Sequence, residues 1–243
     1  MGKVSRQNII ETLKLDIALG CAAYPALADL AENARLQRFE KGEYIFNVGD
    51  ESNNFFMVES GRVILSKEAP SGKIFTFLVA VRGTPLNAVA CFKPRPRFFS
   101  ARAAKKTTVI AIPSSIFKQW VLNNPDVNSA IINTMGDMLN GSYTRILDLI
   151  DESVEQRVLN ALNMLSSRFG PNLPMTNNDI AEMTGTSWET ATRVISRLRE
   201  AGLLSKSRGQ IKILDMPQLD GMSTSPAAIF MRQSVHFVPY DLH

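Results

Sequence analysis

From residue 184 to residue 204 the chain reads TGTSWETATRVISRLREAGLL, with Val194, Ile195, Leu198 and Leu203 at helical spacing. Glu189, Arg193 and Arg197 repeat every four residues on a different face, so one stripe of this helix packs and another reaches out. Just upstream, NNDIAEMTG follows Met175-Thr176 and predicts a short helix closed by Gly185. Thr186 or Ser187 caps the next helix, which runs to Gly202. Helix, short glycine-containing turn and helix make a helix-turn-helix. LLSKSRGQIKILD then predicts two strands around a tight turn at Arg208-Gly209, a basic hairpin wing.

The first half of the chain has another period. Residues 1 to 34 carry helical patterning through Ile9, Ile10, Leu13 and Ile17, then alanine-rich sequence around Tyr24-Pro25. From Arg38, short β-branched or aromatic runs alternate with turn residues, with corners at Lys41-Gly42, Gly49-Asp50, Ser60-Gly61 and Ser71-Gly72. Strands punctuated at this spacing predict a small antiparallel barrel or sandwich. Pro94 and Pro96 place an irregular excursion before the last strand, Thr107 to Ile112. From Asp126 to about Asp151 a long helix carries Ile131, Met135, Met138, Ser142 and Leu149 in a heptad-like seam. Such a seam serves to pair with a partner helix or to pack on the chain's own barrel. A further helix spans Glu152 to Phe169 and ends at Gly-Pro-Asn-Leu-Pro, residues 170 to 174.

The fold predicted is α+β, with an N-terminal antiparallel β-barrel of double-stranded β-helix or jelly-roll type, a long dimerisation helix and a C-terminal winged helix-turn-helix. The boundaries expected are 1–125 for the sensing domain, 126–151 for the helix, 152–215 for the DNA-binding domain and 216–243 for a tail without clear period.

Composition narrows the function. The 243 residues are 45% apolar and 21% charged, enough to fill two modest cores. Two cysteines, Cys21 and Cys91, exclude a four-cysteine iron–sulfur or zinc site within one chain and favour a reducing cytoplasm. A net charge of +4 says little by itself, but between Arg193 and Lys212 six basic residues face one acid, Glu200. No run is long enough to cross a bilayer. The stretch IALGCAAY around Cys21 vaguely resembles a lipoprotein cleavage site, but Glu11 and Asp16 interrupt it, and it reads as part of an N-terminal helix. The histidines, His236 and His243, lie in the tail without a nucleophile motif, so no enzyme is expected.

A recognition helix enters the major groove N-terminus first, so Ser187, Trp188, Glu189, Thr192 and Arg193 meet base edges. Arginine bonds guanine O6 and N7, a carboxylate accepts from cytosine N4, and a threonine methyl packs on thymine. Glu189 and Arg193 could instead form an ordinary intrahelical ion pair. Arg197, Arg199, Lys206 and Arg208 are read as phosphate contacts.

The order barrel, pairing helix, winged helix-turn-helix resembles the CRP/FNR family of bacterial transcription regulators from about Phe39 to Asp215. The segments that carry the likeness are FEKGEYIFNVGDESNNFFMVESGRV and MTNNDIAEMTGTSWETATRVISRLREAGLL. The resemblance implies a homodimer on double-stranded DNA, contacts with RNA polymerase, and DNA-contacting positions that include Thr176 and Thr186. Its readers match Glu189 and Arg193, whereas the arginine of the cyclic-AMP receptor branch is replaced by Trp188. Thr192 is close to the serine of the oxygen-responsive branch, which implies a TTG-containing half-site in an inverted repeat.

The resemblance also bears on the effector. The cyclic-nucleotide cassette carries a Gly-Glu pair where this chain has Asn87 and Ala88, followed by Val89, and an Arg-Ser pair that RPRFFSARA lacks. Cyclic AMP is therefore not expected. Arg97 falls at or within one residue of the cassette arginine, and Arg97, Phe98 and Phe99 resemble the matching piece of cyanobacterial nitrogen regulators. A buried arginine there calls for a small anion such as 2-oxoglutarate; Arg97 and Arg102 on the barrel surface is the other reading. Ser142 and Tyr143 match positions through which the family's helices reach the effector, or Tyr143 is core packing. Cys91 is a rival haem ligand or a small buried hydrophobe, with a small anion preferred over haem. A ligand-binding regulator whose helix-turn-helix contacts protein instead of DNA is the remaining alternative.

Overall fold

The structure is a computed structural model and describes residues 3–93, 95–207 and 209–224. Two compact units meet inside one long helix, the first ending at Thr134 and the second starting at Met135.

In the first unit, helices α1 (Lys3–Leu13) and α2 (Tyr24–Glu32) precede seven strands: β1 (Arg35–Phe39), β2 (Tyr44–Phe46), β3 (Asn54–Ser60), β4 (Val63–Glu68), β5 (Ile74–Ala80), β6 (Ser100–Ala103) and β7 (Thr107–Pro113). They form two antiparallel sheets, ordered β1-β7-β3 and β2-β6-β4-β5. The result is an open, jelly-roll-like pair of sheets and not a closed barrel.

Alternation along β3 and β7 explains the layering. Phe56, Val58, Val109 and Ala111 turn inward against Phe46, Val63, Leu65, Ala80 and Ala101 of the other sheet. Their neighbours Phe55, Met57, Ile110 and Ile112 point the other way and pack on Ile9, Leu13, Leu27 and Leu30 of α1 and α2. These strands are apolar on both faces because both faces are covered.

The helix α3 (Ser114–Leu122) is an element the strand-based reading omits; Phe117, Trp120 and Val121 recur at helical spacing and are buried. Trp120 Nε1 donates to Ala26 O at 2.8 Å, which fixes α3 to α2. At the β3–β4 corner Gly61 has φ of 101°, and a Cβ there would lie 2.4 Å from Thr107 Oγ1. Both the backbone conformation and the space exclude a side chain.

The helix α4 (Pro125–Asp151) crosses the unit boundary. The second unit continues with α5 (Val154–Phe169), β8 (Asn172–Leu173), α6 (Asn177–Thr184), α7 (Trp188–Glu200), β9 (Leu204–Ser207), β10 (Gln210–Ile213) and α8 (Met216–Met222). Ser153 caps α5 by accepting from Gln156 N at 3.2 Å, so that helix begins later than Glu152. Leu173, read from sequence as loop, pairs with Ile211 and makes the wing a three-stranded sheet, β8-β10-β9. Residues 216–224, assigned to the tail, are part of this unit: Leu219 is buried, Gln156 Nε2 donates to Met222 O, and Asn160 Oδ1 accepts from Ser223 Oγ and Thr224 N. His236 and His243 lie outside the described residues.

Candidate DNA-reading surface and sensor site

The helix-turn-helix is built by caps. Thr176 Oγ1 accepts from Asp179 N at 3.2 Å while Asp179 Oδ2 accepts from Thr176 N at 2.7 Å, a reciprocal box that starts α6. Thr176 therefore spends its side chain on the helix it opens. Gly185 closes α6 with φ of 66°, and Thr186 N donates to Ala181 O at 3.1 Å. Ser187 is the cap of α7, accepting from Thr190 N at 3.2 Å. Ala191, Val194, Ile195 and Leu198 are buried, which leaves the other side of α7 open.

On that open side Trp188, Glu189 and Arg193 are exposed. No ion pair joins Glu189 to Arg193 among the described residues. Hydrogen bonding to its own backbone N–H and to the Ser187 side chain draws the Glu189 carboxylate below its ordinary range. Arg193 has no ion pair among the described residues. Arg197 instead pairs with Glu155 of α5 at 2.8 Å, both half-exposed. Lys206 is exposed on β9, and Arg208 lies outside the described residues.

Thr192 is half-buried, and its hydroxyl accepts from Asn177 Nδ2 at 2.9 Å. Asn177 is 4% exposed. Sequence reading missed this residue because an asparagine at a helix start looks like a cap. Two other residues escaped it. Arg145 of α4 donates to Met183 O at 2.8 Å, and Arg157 of α5 donates to Thr184 O at 3.1 Å and to Glu152 O at 2.9 Å. Both arginines satisfy carbonyls at the C-terminus of α6, where a helix lacks internal donors and favours positive charge.

In α4, Ile131 packs into the first unit's core, and Met135 and Met138 stay exposed. The open heptad consists of Ile132, Leu139 and Ile146 alternating with Met135, Ser142 and Leu149. Three of the five predicted seam residues, Met135, Ser142 and Leu149, thus lie on it. Ser142 Oγ donates to Met138 O at 2.8 Å within the helix, and Tyr143 is exposed.

The sensor-domain residues separate. Arg97 is 2% exposed, inside the sheet pair, with its guanidinium carbon 4.2 Å from the Phe46 ring centre and 5.6 Å from that of Phe56. Its Nη2 donates to Asn54 O, while Nε and Nη1 are buried without a hydrogen-bond partner among the described residues. Burial pulls its pKa down, opposed by Cys91 and Asp50. The backbone of Arg97 is held by the Gly49-Asp50 turn, through Gly49 N to Arg97 O at 2.9 Å and Arg97 N to Asp50 O at 2.8 Å. Phe98, next along the chain, is exposed beneath Lys67, whose Nζ lies 3.3 Å from the ring centre, and Phe99 stacks on Phe77. Arg97 and Phe98 are therefore not brought together. Arg102 of β6 is half-buried.

Asn87 adopts φ of 61° and opens a 3-10 turn, Ala88–Cys91, that includes Val89. Ala88, Cys91 and Phe92 pack against the helical face of the β1-β7-β3 sheet. Ser114 Oγ lies 3.4 Å from Cys91 Sγ and 2.5 Å from Ser52 O. Burial pushes the Cys91 thiol up, against the lowering effects of Ser114 and Arg97.

A β-sheet unit of cyclic-nucleotide-binding type followed by a winged helix-turn-helix defines a DNA-binding transcription regulator with its own effector-binding domain. The chain belongs to the CRP/FNR family: the family model for a cyclic nucleotide-binding domain matches residues 36–124, and that for a Crp-like helix-turn-helix domain matches residues 156–222. It is 22% identical over 202 residues to the CRP-like cAMP-activated global transcriptional regulator of Mycobacterium tuberculosis, covering 80% of this chain and 90% of that one. It is 27% identical over 195 residues to the fumarate and nitrate reduction regulatory protein of Vibrio cholerae, covering 76% and 77%. The fold matches FixK2 from Bradyrhizobium japonicum with a TM-score of 0.70 at 19% identity, over 79% of this chain and 98% of that one. The first of these relatives is named a transcriptional regulator and the second a regulatory protein. No described helix is long and apolar enough to cross a membrane.

Proposed function

We propose that the chain works as a homodimer that reads a TTG-containing inverted repeat and responds to a small anion. The observation that carries the DNA reading is Arg193, exposed one turn after Glu189 and committed to neither ion pair nor hydrogen bond among the described residues. A guanidinium so presented by the first turns of a groove-entering helix suits the O6 and N7 of guanine. The Ile132–Leu139–Ile146 row supports pairing of two α4 helices, which would set the two reading helices one DNA turn apart, roughly 34 Å.

Arg97 supports the anion. Leaving a buried guanidinium with two unpartnered nitrogens costs several kcal/mol, roughly, and a carboxylate would offset it. The Cys91 side chain packs against the apolar core on the helical side of the β1-β7-β3 sheet, with Ser114 Oγ 3.4 Å from its Sγ, which supports a small buried hydrophobe over a haem ligand. Ligand binding would act by shifting the population between two dimer geometries.

The test is Arg193→Ala, measured by anisotropy on a TTG-containing inverted repeat and on random duplex. The expected loss is on the order of 1–3 kcal/mol on the specific site alone. Equal loss on both duplexes would refute base reading by Arg193, and a wild-type affinity indifferent to salt would point to a protein partner for the helix-turn-helix.

A further inference from the structure

The groove-facing start of α7 presents two adjacent stripes one residue apart. Glu189 and Arg193 form the charged one; Trp188 and Thr192, also one turn apart, form the other. The hydroxyls beside this second stripe already have partners. The Thr192 hydroxyl accepts from buried Asn177 at 2.9 Å, and the Ser187 hydroxyl, just before Trp188, is engaged with Thr190.

Trp188 itself is 53% exposed, with no ring contact and no hydrogen bond to its indole N–H among the described residues. It is the first residue of α7, with its backbone fixed by the Ser187 cap. A large apolar side chain left uncovered on a surface rich in basic residues gains from being buried against an apolar partner. In the major groove the apolar group on a base edge is the C5 methyl of thymine.

We propose that Trp188 is a specificity-determining residue that selects thymine at the base pair flanking the guanine read by Arg193, through contact of the indole with the thymine C5 methyl. The assignment rests on the DNA-reading function proposed above.

The experiment is a cycle that crosses one methyl group with one side chain. A high-affinity inverted repeat is first selected from a randomised duplex library with the wild-type protein. Each thymine in one half-site is then replaced in turn by deoxyuridine, which removes the methyl and keeps the pairing, and affinities are measured by anisotropy for wild type and Trp188→Ala. At one thymine beside the guanine, wild type loses about fourfold, the worth of one buried methyl, and about fifteenfold when both half-sites are changed.

In Trp188→Ala the thymine and uridine duplexes bind equally at that position. The ratio within each protein is the readout, so a general loss of affinity in the variant does not decide the matter. An unchanged thymine-to-uridine ratio in Trp188→Ala overturns the assignment and gives the methyl to another side chain. Indifference of wild type to every deoxyuridine overturns it as well. Failure of the selection to enrich any sequence over random DNA would instead refute the reading function on which it rests.

Discussion

Arg145 Nη2 donates to Met183 O across 2.8 Å, joining the last turns of α4 to the last carbonyls of α6. Leu149, one turn further along α4, has a methyl 3.4 Å from where a Cβ on Gly185 would stand. A charged hydrogen bond thus holds the head of the helix-turn-helix turn. Truncation in Arg145→Ala leaves a helix carbonyl without its donor, at a cost of about 1–3 kcal/mol in urea denaturation. A loss below about 0.5 kcal/mol would show that water replaces the guanidinium.

Asp148 lies one turn before Glu152 on the same helical surface. Burial raises its pKa, Asn160 lowers it by hydrogen bonding, Glu152 raises it, and Arg145 and Arg157 lower it. An acid whose folded pKa is raised binds its proton more tightly when folded. Its stabilising contribution is complete below the ordinary carboxylate range and is lost as pH rises through the raised value. Asp148→Asn is therefore expected to match wild type near about pH 4 and to exceed it at about pH 8 in denaturation midpoint. The reverse order at the higher pH would show that the two arginines outweigh burial.

The exposed row on α4 predicts the oligomer. Leu139 is 51% exposed in the single chain, so Leu139→Asp leaves each unit folded but puts a charge in the seam. Sedimentation is expected to show a dimer for wild type and a monomer for the variant. Affinity for an inverted repeat should fall at least about tenfold, because the two half-sites no longer bind as one. A dimeric variant with unchanged affinity would place the interface elsewhere.

Arg97→Met exchanges a desolvated cation for an apolar chain of similar length. It forfeits the bond to Asn54 O and the stack on Phe46, and it removes a charge with two unpartnered nitrogens. These effects oppose one another, so stability in anion-free buffer should change by less than about 1 kcal/mol. Thermal shift with small dicarboxylates, 2-oxoglutarate among them, should raise the melting temperature of wild type and not of the variant. A shift that survives the substitution would remove Arg97 from the site.

The helix-turn-helix was legible in the chain itself because its signals are local. Thr176 with Asp179, Gly185, Ser187 and the apolar stripe of α7 all act within a few residues of one another, and caps, turns and helical period need no distant partner. The glycine corners of the sheets were legible for the same reason. Each of Gly42, Gly49, Gly61 and Gly72 has a positive φ that other residues resist.

What tertiary structure decided is pairing between distant segments. Asn172-Leu173 looks like a loop until Ile211 and Lys212 bring it a ladder to join. Arg145 and Arg157 look like solvated charges on amphipathic helices until the carbonyls of α6 arrive beside them. Arg97 and Phe98 are chain neighbours that the sequence groups as one site, yet the folded chain buries the cation and exposes the ring. The chain determined which segments are helices, strands and turns, since those depend on neighbouring residues. Which polar groups are buried, and what satisfies them, was decided only when residues far apart in sequence came to share one core.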